Sequence, residues 1–130
     1  MSTAIRYYSR SGNTKSVAEA IGEAVGVEAV SIDTANAIIN EPVDVLYLGG
    51  ALYAYGLDQN LETYISAIAP EKVKKVILFS TSWLSKHALD LMRKALVARG
   101  FQVEEDTLYF KSKQAKQCKE RVEAFVKAHM

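Results

Sequence analysis

Cysteine is almost missing from this chain. Cys118 stands alone among 130 residues, so neither an intrachain disulfide framework nor a thiolate metal cluster can form. Histidine is nearly as scarce: His87 and His129 leave little for an imidazole metal site. Proline occurs only at Pro42 and Pro70, and tryptophan only at Trp83. No apolar run is long enough to span a bilayer, and no Lys/Arg-rich leader precedes an apolar segment. The expected setting is therefore the cytoplasm, with no membrane association. The chain also lacks a large excess of one charge, since its formal net charge is +1, and no nucleic-acid partner is expected. What remains is the composition of an ordinary soluble domain, 49% hydrophobic and 24% charged, of a size that suits one domain with a full core.

The charge that is present is unevenly placed. Residues 1–65 hold three basic and eight acidic groups, whereas residues 66–130 hold thirteen basic and seven acidic groups. The basic half reads either as an electrostatic docking face or as solvated helix faces, the latter favoured by Lys and Arg interleaved with Glu and Asp at helical spacing.

Short apolar runs alternate with longer amphipathic ones. Strands are predicted at Thr3–Tyr8, Val27–Ile32, Val43–Leu48, Val73–Ser80 and within Phe101–Phe110, the last irregular around Glu104, Glu105 and Asp106. Helices are predicted at Asn13–Val25, around Leu61 to Ile68, at Ser85–Arg99 and at Lys113–Ala128. Their inward stripes are Val17, Ala20, Ile21 and Ala24 in the first; Leu89, Met92, Leu96 and Val97 in the third; and Ala115, Cys118, Val122, Phe125 and Val126 in the last. Alternating apolar strands and helices imply an α/β fold, a doubly wound five-stranded parallel sheet of order 2-1-3-4-5 with helices on both faces, in one domain over residues 1–130. Such sheets bind ligands at the carboxyl ends of their strands.

Three loops meet at that end. The first, Ser9-Arg10-Ser11-Gly12-Asn13-Thr14, follows the first strand and opens the first helix. The first amides of a helix have no intrahelical partner and carry partial positive charge, so this hydroxyl-rich turn reads as a phosphate cradle. Ser, Asn and Thr are also good N-caps, but a cap requires one or two of them, not a run. The second loop carries Leu52, Tyr53, Ala54, Tyr55 and Gly56, and the third Ser80, Thr81, Ser82 and Trp83. Aromatic residues on loops beside a phosphate cradle suit a flat ring system joined to a phosphate. Other phosphate binders lack their signatures here. There is no GxxxxGK(S/T) and no GxGxxG after the first strand; that strand ends Tyr7-Tyr8-Ser9 rather than in acids; and the one cysteine lies in the predicted last helix rather than in a phosphate loop.

The first loop matches the flavodoxin pattern (S/T)-x-(S/T)-G-x-T at every fixed position, and the chain resembles the short-chain flavodoxin family along its whole length. That resemblance implies noncovalent binding of FMN. Ser9, Ser11, Asn13 and Thr14 would hold the 5′-phosphate, Tyr53 would lie on the inner face of the ring, and Trp83 near its other face or edge. It further implies electron transfer between redox partner proteins, a reductase and an acceptor, by a monomer or weak dimer. Two departures stand out. Family members are usually strongly acidic, unlike this chain. The family also often places a Gly beside the ring where this chain has Ala54-Tyr55, and a Cβ makes a flip to positive φ costly. The segment Leu48 to Gly56 also resembles that of flavodoxin-like protoporphyrinogen oxidases, which points toward catalysis. A small FMN-dependent reductase of a quinone or another small acceptor is therefore the alternative, followed by a flavin-free interaction module.

Overall fold

A computed structural model describes residues 2–10, 12–53, 56–57, 59–82 and 87–129. The main sheet contains β1 (Thr3–Tyr7), β2 (Ala29–Ser31), β3 (Val43–Gly50), β6 (Val73–Ser82) and β7 (Leu108–Lys111). Between β3 and β6 lies a small antiparallel hairpin of β4 (Leu52–Tyr53) and β5 (Gly56–Leu57). The helices are α1 (Asn13–Val25), α2 (Gln59–Ala67), α3 (His87–Ala98) and α4 (Lys119–Ala128). The sheet runs β2-β1-β3-β6-β7 with all pairings parallel, which is the 2-1-3-4-5 order expected from the sequence.

Successive strand residues feed two core layers, as the two-residue period of a strand requires. On one face Ala4, Leu46, Leu48, Val76 and Leu78 pack with Leu61, Tyr64 and Ile65 of α2 and with Leu89, Met92 and Leu96 of α3. On the other, Ile5, Tyr7, Val45, Tyr47, Ile77 and Phe79 pack with Val17, Ala18 and Ile21 of α1 and with Val122 and Val126 of α4. Both faces of β1, β3 and β6 are thus covered, which is why these strands are apolar almost throughout. The loops are tied by arginines: Arg6 Nε donates to the Ala37 carbonyl at 2.7 Å, and Arg99 Nη1 donates to the Ile68 carbonyl at 2.6 Å, just beyond the end of α2.

Several boundaries differ from the sequence-based expectation. β2 begins at Ala29 rather than Val27, because the Val27 amide is held by the Gly22 carbonyl (3.1 Å) in the turn that closes α1. The fifth sheet strand is confined to Leu108–Lys111, preceded by a lone bridge from Val76 to Val103. The chain between them is pulled toward α3, where Arg93 Nη2 donates to the carbonyls of Glu104 (2.9 Å) and Glu105 (3.2 Å). The last helix starts at Lys119, after a 3₁₀ segment over Ser112–Gln117, although Ala115 and Cys118 are buried as expected. Val97 is 56% exposed and does not join the α3 stripe, since it lies about 100° around the helix from buried Leu96. Phe125 is half-buried and stacks on His129 with ring centroids 4.1 Å apart. Among the described residues no helix is long and apolar enough to cross a membrane.

Gly49 marks the tightest approach in the core. A Cβ there would lie 2.1 Å from Cε2 of Phe79, whose ring is fully buried and has nowhere to go. Gly49→Ala is expected to destabilise the fold by about 1–3 kcal/mol through overpacking. Adding Phe79→Leu should recover part of the loss, so the double variant will cost less than the sum in urea unfolding.

Burial also makes the fold sensitive to alkali. It is the leading cause that pushes up the phenols of Tyr7, Tyr47 and Tyr64 and the thiol of Cys118. Glu19 and Asp33 add to the effect at Tyr7, while Arg6 opposes it at Tyr64. The unfolded chain therefore loses these protons first, near the ordinary thiol and phenol values of 9.0 and 10.0. Stability from this source is complete below that range and is lost as pH rises through the raised folded values. The urea midpoint should fall steadily above about pH 9; a flat midpoint up to about pH 11 would contradict this account.

Candidate functional site

The parallel register brings three strand ends to one edge. Tyr7 lies opposite Gly49, Gly50 opposite Ser80, and Ser82 opposite Lys111. The ends of β1, β3 and β6 are consequently neighbours, although they are far apart in sequence.

The first loop turns from β1 into α1 through Gly12, which has φ of 91°. That left-handed conformation is strained for any residue with a Cβ, even though open space surrounds Gly12. Gly12 donates its amide to Ser9 Oγ (2.9 Å), and its carbonyl accepts from Ser16 Oγ (3.0 Å). Among the described residues no side chain caps α1, and its first turn has no acidic residue. From Tyr8 to Ser16 the chain has hydroxyls, an amide, Arg10 and Lys15, but no carboxylate. Most helices satisfy this end with an N-cap oxygen or an acid. Here the end stays electropositive and rich in donors, which is the chemistry that a phosphate group requires. The residues present therefore fit the phosphate of a flavin nucleotide.

Thr14 is 1% exposed, and its Oγ1 lies 2.8 Å from Oγ1 of Thr81, which is also buried. This hydroxyl pair ties the first turn of α1 to the end of β6. One proton occupies the link, which leaves the second hydroxyl proton for an outward acceptor. The sequence-based reading named both threonines but not their contact. The available signal was a hydroxyl residue at the end of an apolar strand that must enter a buried layer.

The third loop needs correction. Ser80, Thr81 and Ser82 lie within β6, not in a loop. Ser80 is fully buried, and its hydroxyl donates to the Gly50 carbonyl at 2.7 Å, so it locks β3 to β6. Ser9, Arg10, Gly12, Asn13 and Thr14 lie between the end of β1 and the first turn of α1, with Arg10 exposed and Ser9 and Asn13 half-buried. In the second loop, Leu52 and Tyr53 form β4 and Gly56 opens β5, so the expected loop is a hairpin whose second strand touches α3. Ser11, Ala54, Tyr55 and Trp83 lie outside the described residues.

A family profile described as Flavodoxin domain matches residues 4–111. The chain belongs to the flavodoxin domain family. No curated protein sequence matches it. Among solved structures, the two-electron reduced flavodoxin of Megasphaera elsdenii is similar at a TM-score of 0.70 and 28% identity, over 96% of this chain and 98% of that one. A flavodoxin from the domain Archaea has a TM-score of 0.70 at 20% identity, covering 98% and 99%. An NADH:FMN oxidoreductase in its apo form has a TM-score of 0.62 at 14% identity, covering 96% and 90%. The latter two likenesses are of fold. Membership of the flavodoxin family implies a flavin cofactor.

The Thr14–Thr81 pair can be tested without a ligand. Thr14→Val and Thr81→Val each strand one buried hydroxyl and should cost about 1–3 kcal/mol. The double variant removes both groups in near-isosteric form and should cost clearly less than the two singles combined. Strict additivity in urea unfolding would show that the two hydroxyls do not interact.

Proposed function

We propose that this flavodoxin-family protein binds FMN noncovalently at the carboxyl edge of its sheet and carries electrons between redox partner proteins. The observation that carries the reading is the start of α1, free of acids and uncapped by any described side chain, within a loop that matches the family's phosphate motif. Backbone amides of the first turn, with Ser9, Ser11, Asn13 and Thr14, would hold the phosphate. Either hydroxyl of the Thr14–Thr81 pair can donate; with Thr81 as the donor, Thr14 would keep its own proton for the phosphate. Gly12 sets the turn that lets the amides converge. FMN, when bound, supplies the one- and two-electron chemistry, and the protein's part is to hold it, orient it and leave an edge within reach of a partner. A carrier of this kind needs no side chain to act as acid or base.

FMN and riboflavin titrations test the cradle directly, because only FMN has a phosphate. Thr14→Ala removes a hydrogen bond to a charged group and should weaken FMN by about 10- to 100-fold. Riboflavin binding should change far less. An equal loss for both ligands would place the effect outside the phosphate site. Steady-state oxidation of NADH with a quinone, in the absence of an added reductase, would support the reductase reading instead.

A further inference from the structure

We propose that Lys15, Lys111, Lys113 and Lys116 form a basic rim beside the cofactor cradle that docks an acidic redox-partner protein. The partner's redox role rests on the electron-carrier reading above; the docking chemistry does not.

The described lysines differ in what surrounds them. Those at the amino ends of the strands are engaged: Lys74 Nζ lies 3.6 Å from Asp44, Lys75 Nζ lies 3.4 Å from Glu104, and Lys72 Nζ donates to the Asn40 carbonyl. On the helical face, Lys119 Nζ is 3.8 Å from Glu23. The four rim lysines have no such partner among the described residues, a property they share with exposed Lys94 of α3 and Lys127 of α4, but they alone lie together at the carboxyl edge. All four are exposed, and among the described residues none has a carboxylate within ion-pair distance.

The same four are gathered by the fold. Lys111 ends β7 opposite Ser82, the last residue of β6. The 3₁₀ segment Ser112–Gln117 then packs on α1, anchored by fully buried Ala115. Directly after it, Cys118 Sγ lies 4.0 Å from the carbonyl of Ser16, the neighbour of Lys15. Residues about a hundred positions apart thus meet beside the first turn of α1, where the cradle begins. The described acids nearest the rim are Glu19, one turn after Lys15 on α1, and Glu120, in the first turn of α4; exposed Asp33 follows β2 at the opposite side of the sheet, and Glu62 and Asp90 belong to the first turns of α2 and α3 on the other face. Four lysines against two carboxylates leave the rim net positive, which would orient an incoming charged partner as well as attract it.

The composition of the rim favours protein over other polyanions. The residues between its lysines are Ser112, Gln114 and Ala115, with Gln117 following. No aromatic residue is interleaved among Lys111, Lys113 and Lys116 to stack on bases, and none of the described residues between them is an exposed large apolar side chain that could enter a lipid interface. Lysines flanked by serine and glutamine match the polar edge of a transient protein contact.

The test uses the full chain, with and without FMN, and two redox probes of opposite charge: an acidic plant-type ferredoxin and basic cytochrome c. Association is followed by fluorescence anisotropy, and electron transfer with FMN by stopped flow. The ferredoxin association rate should fall by about tenfold or more between low and high salt. Lys111→Glu/Lys113→Glu/Lys116→Glu should lower it by a similar factor at low salt and raise that for cytochrome c. The milder Lys113→Gln/Lys116→Gln should move both rates in the same directions and keep the unfolding midpoint of the parent. Ferredoxin binding that persists in the flavin-free protein, with the same dependence, supports the rim even where FMN titration fails. Rates that ignore salt, folded variants indistinguishable from the parent, or a parent that prefers cytochrome c would overturn the proposal. So would equally tight, rim-dependent binding to phosphatidylserine vesicles or duplex DNA.

Discussion

The placement of β1 is the constraint on which the rest depends. It is hydrogen-bonded to β2 on one side and to β3 on the other, and its residues feed core layers on both faces. A strand held in this way can pass to its helix only beyond the sheet's edge, and the helix must return over one face to cover the core. The turn after Tyr7 therefore points the start of α1 to the carboxyl edge. Gly12 makes that turn possible with its left-handed backbone, and the absence of acids leaves the helix end electropositive. The cradle follows from how a parallel sheet must be connected, with a sequence chosen to leave the helix end available.

Two kinds of hydroxyl work at this edge. Ser9 closes on the Gly12 amide and shapes the turn. Thr14, Thr81 and Ser80 are buried and join elements: Thr14 to Thr81 between helix and strand, Ser80 to the Gly50 carbonyl between strands. Buried polar groups of this sort are costly alone and specific when paired. They hold the ends of β3 and β6 and the first turn of α1 in one fixed relation, which is what a cofactor spanning several loops requires of its scaffold. Lys111, Lys113 and Lys116 lie just outside this fixed region, at the end of β7 and on the turn anchored by buried Ala115, whereas Lys15 stands on the first turn of α1 itself.

Much of this could be read from residue order. The apolar runs at 3–8, 43–48 and 73–80 alternate with helical stripes, so the parallel sheet and its strand order were foreseeable. The cradle was readable for a local reason: its residues are contiguous, and a strand–turn–helix with hydroxyls has few alternative meanings. Where the reading went astray, long-range contacts were responsible. β2 starts late because its first residues are spent on closing α1, and Val97 turns outward because Leu96 already fills the core beneath α3. Ser80 and Thr81 look like loop residues by composition, yet their hydroxyls have partners 30 and 67 positions away, which lets them remain inside a buried strand.

The sequence by itself determined the α/β class, the doubly wound order and the phosphate motif, because periodicity, turn residues and helix starts are properties of short segments. Tertiary structure alone decided which of those residues face one another. The pairing of Thr14 with Thr81, the locking of Ser80 to Gly50, and the gathering of Lys15 with the lysines after β7 all join positions remote in the chain. No local preference encodes such pairs. They exist because the parallel register brings the carboxyl ends of the strands into line, and because a hydroxyl in a buried layer must find its partner within that layer.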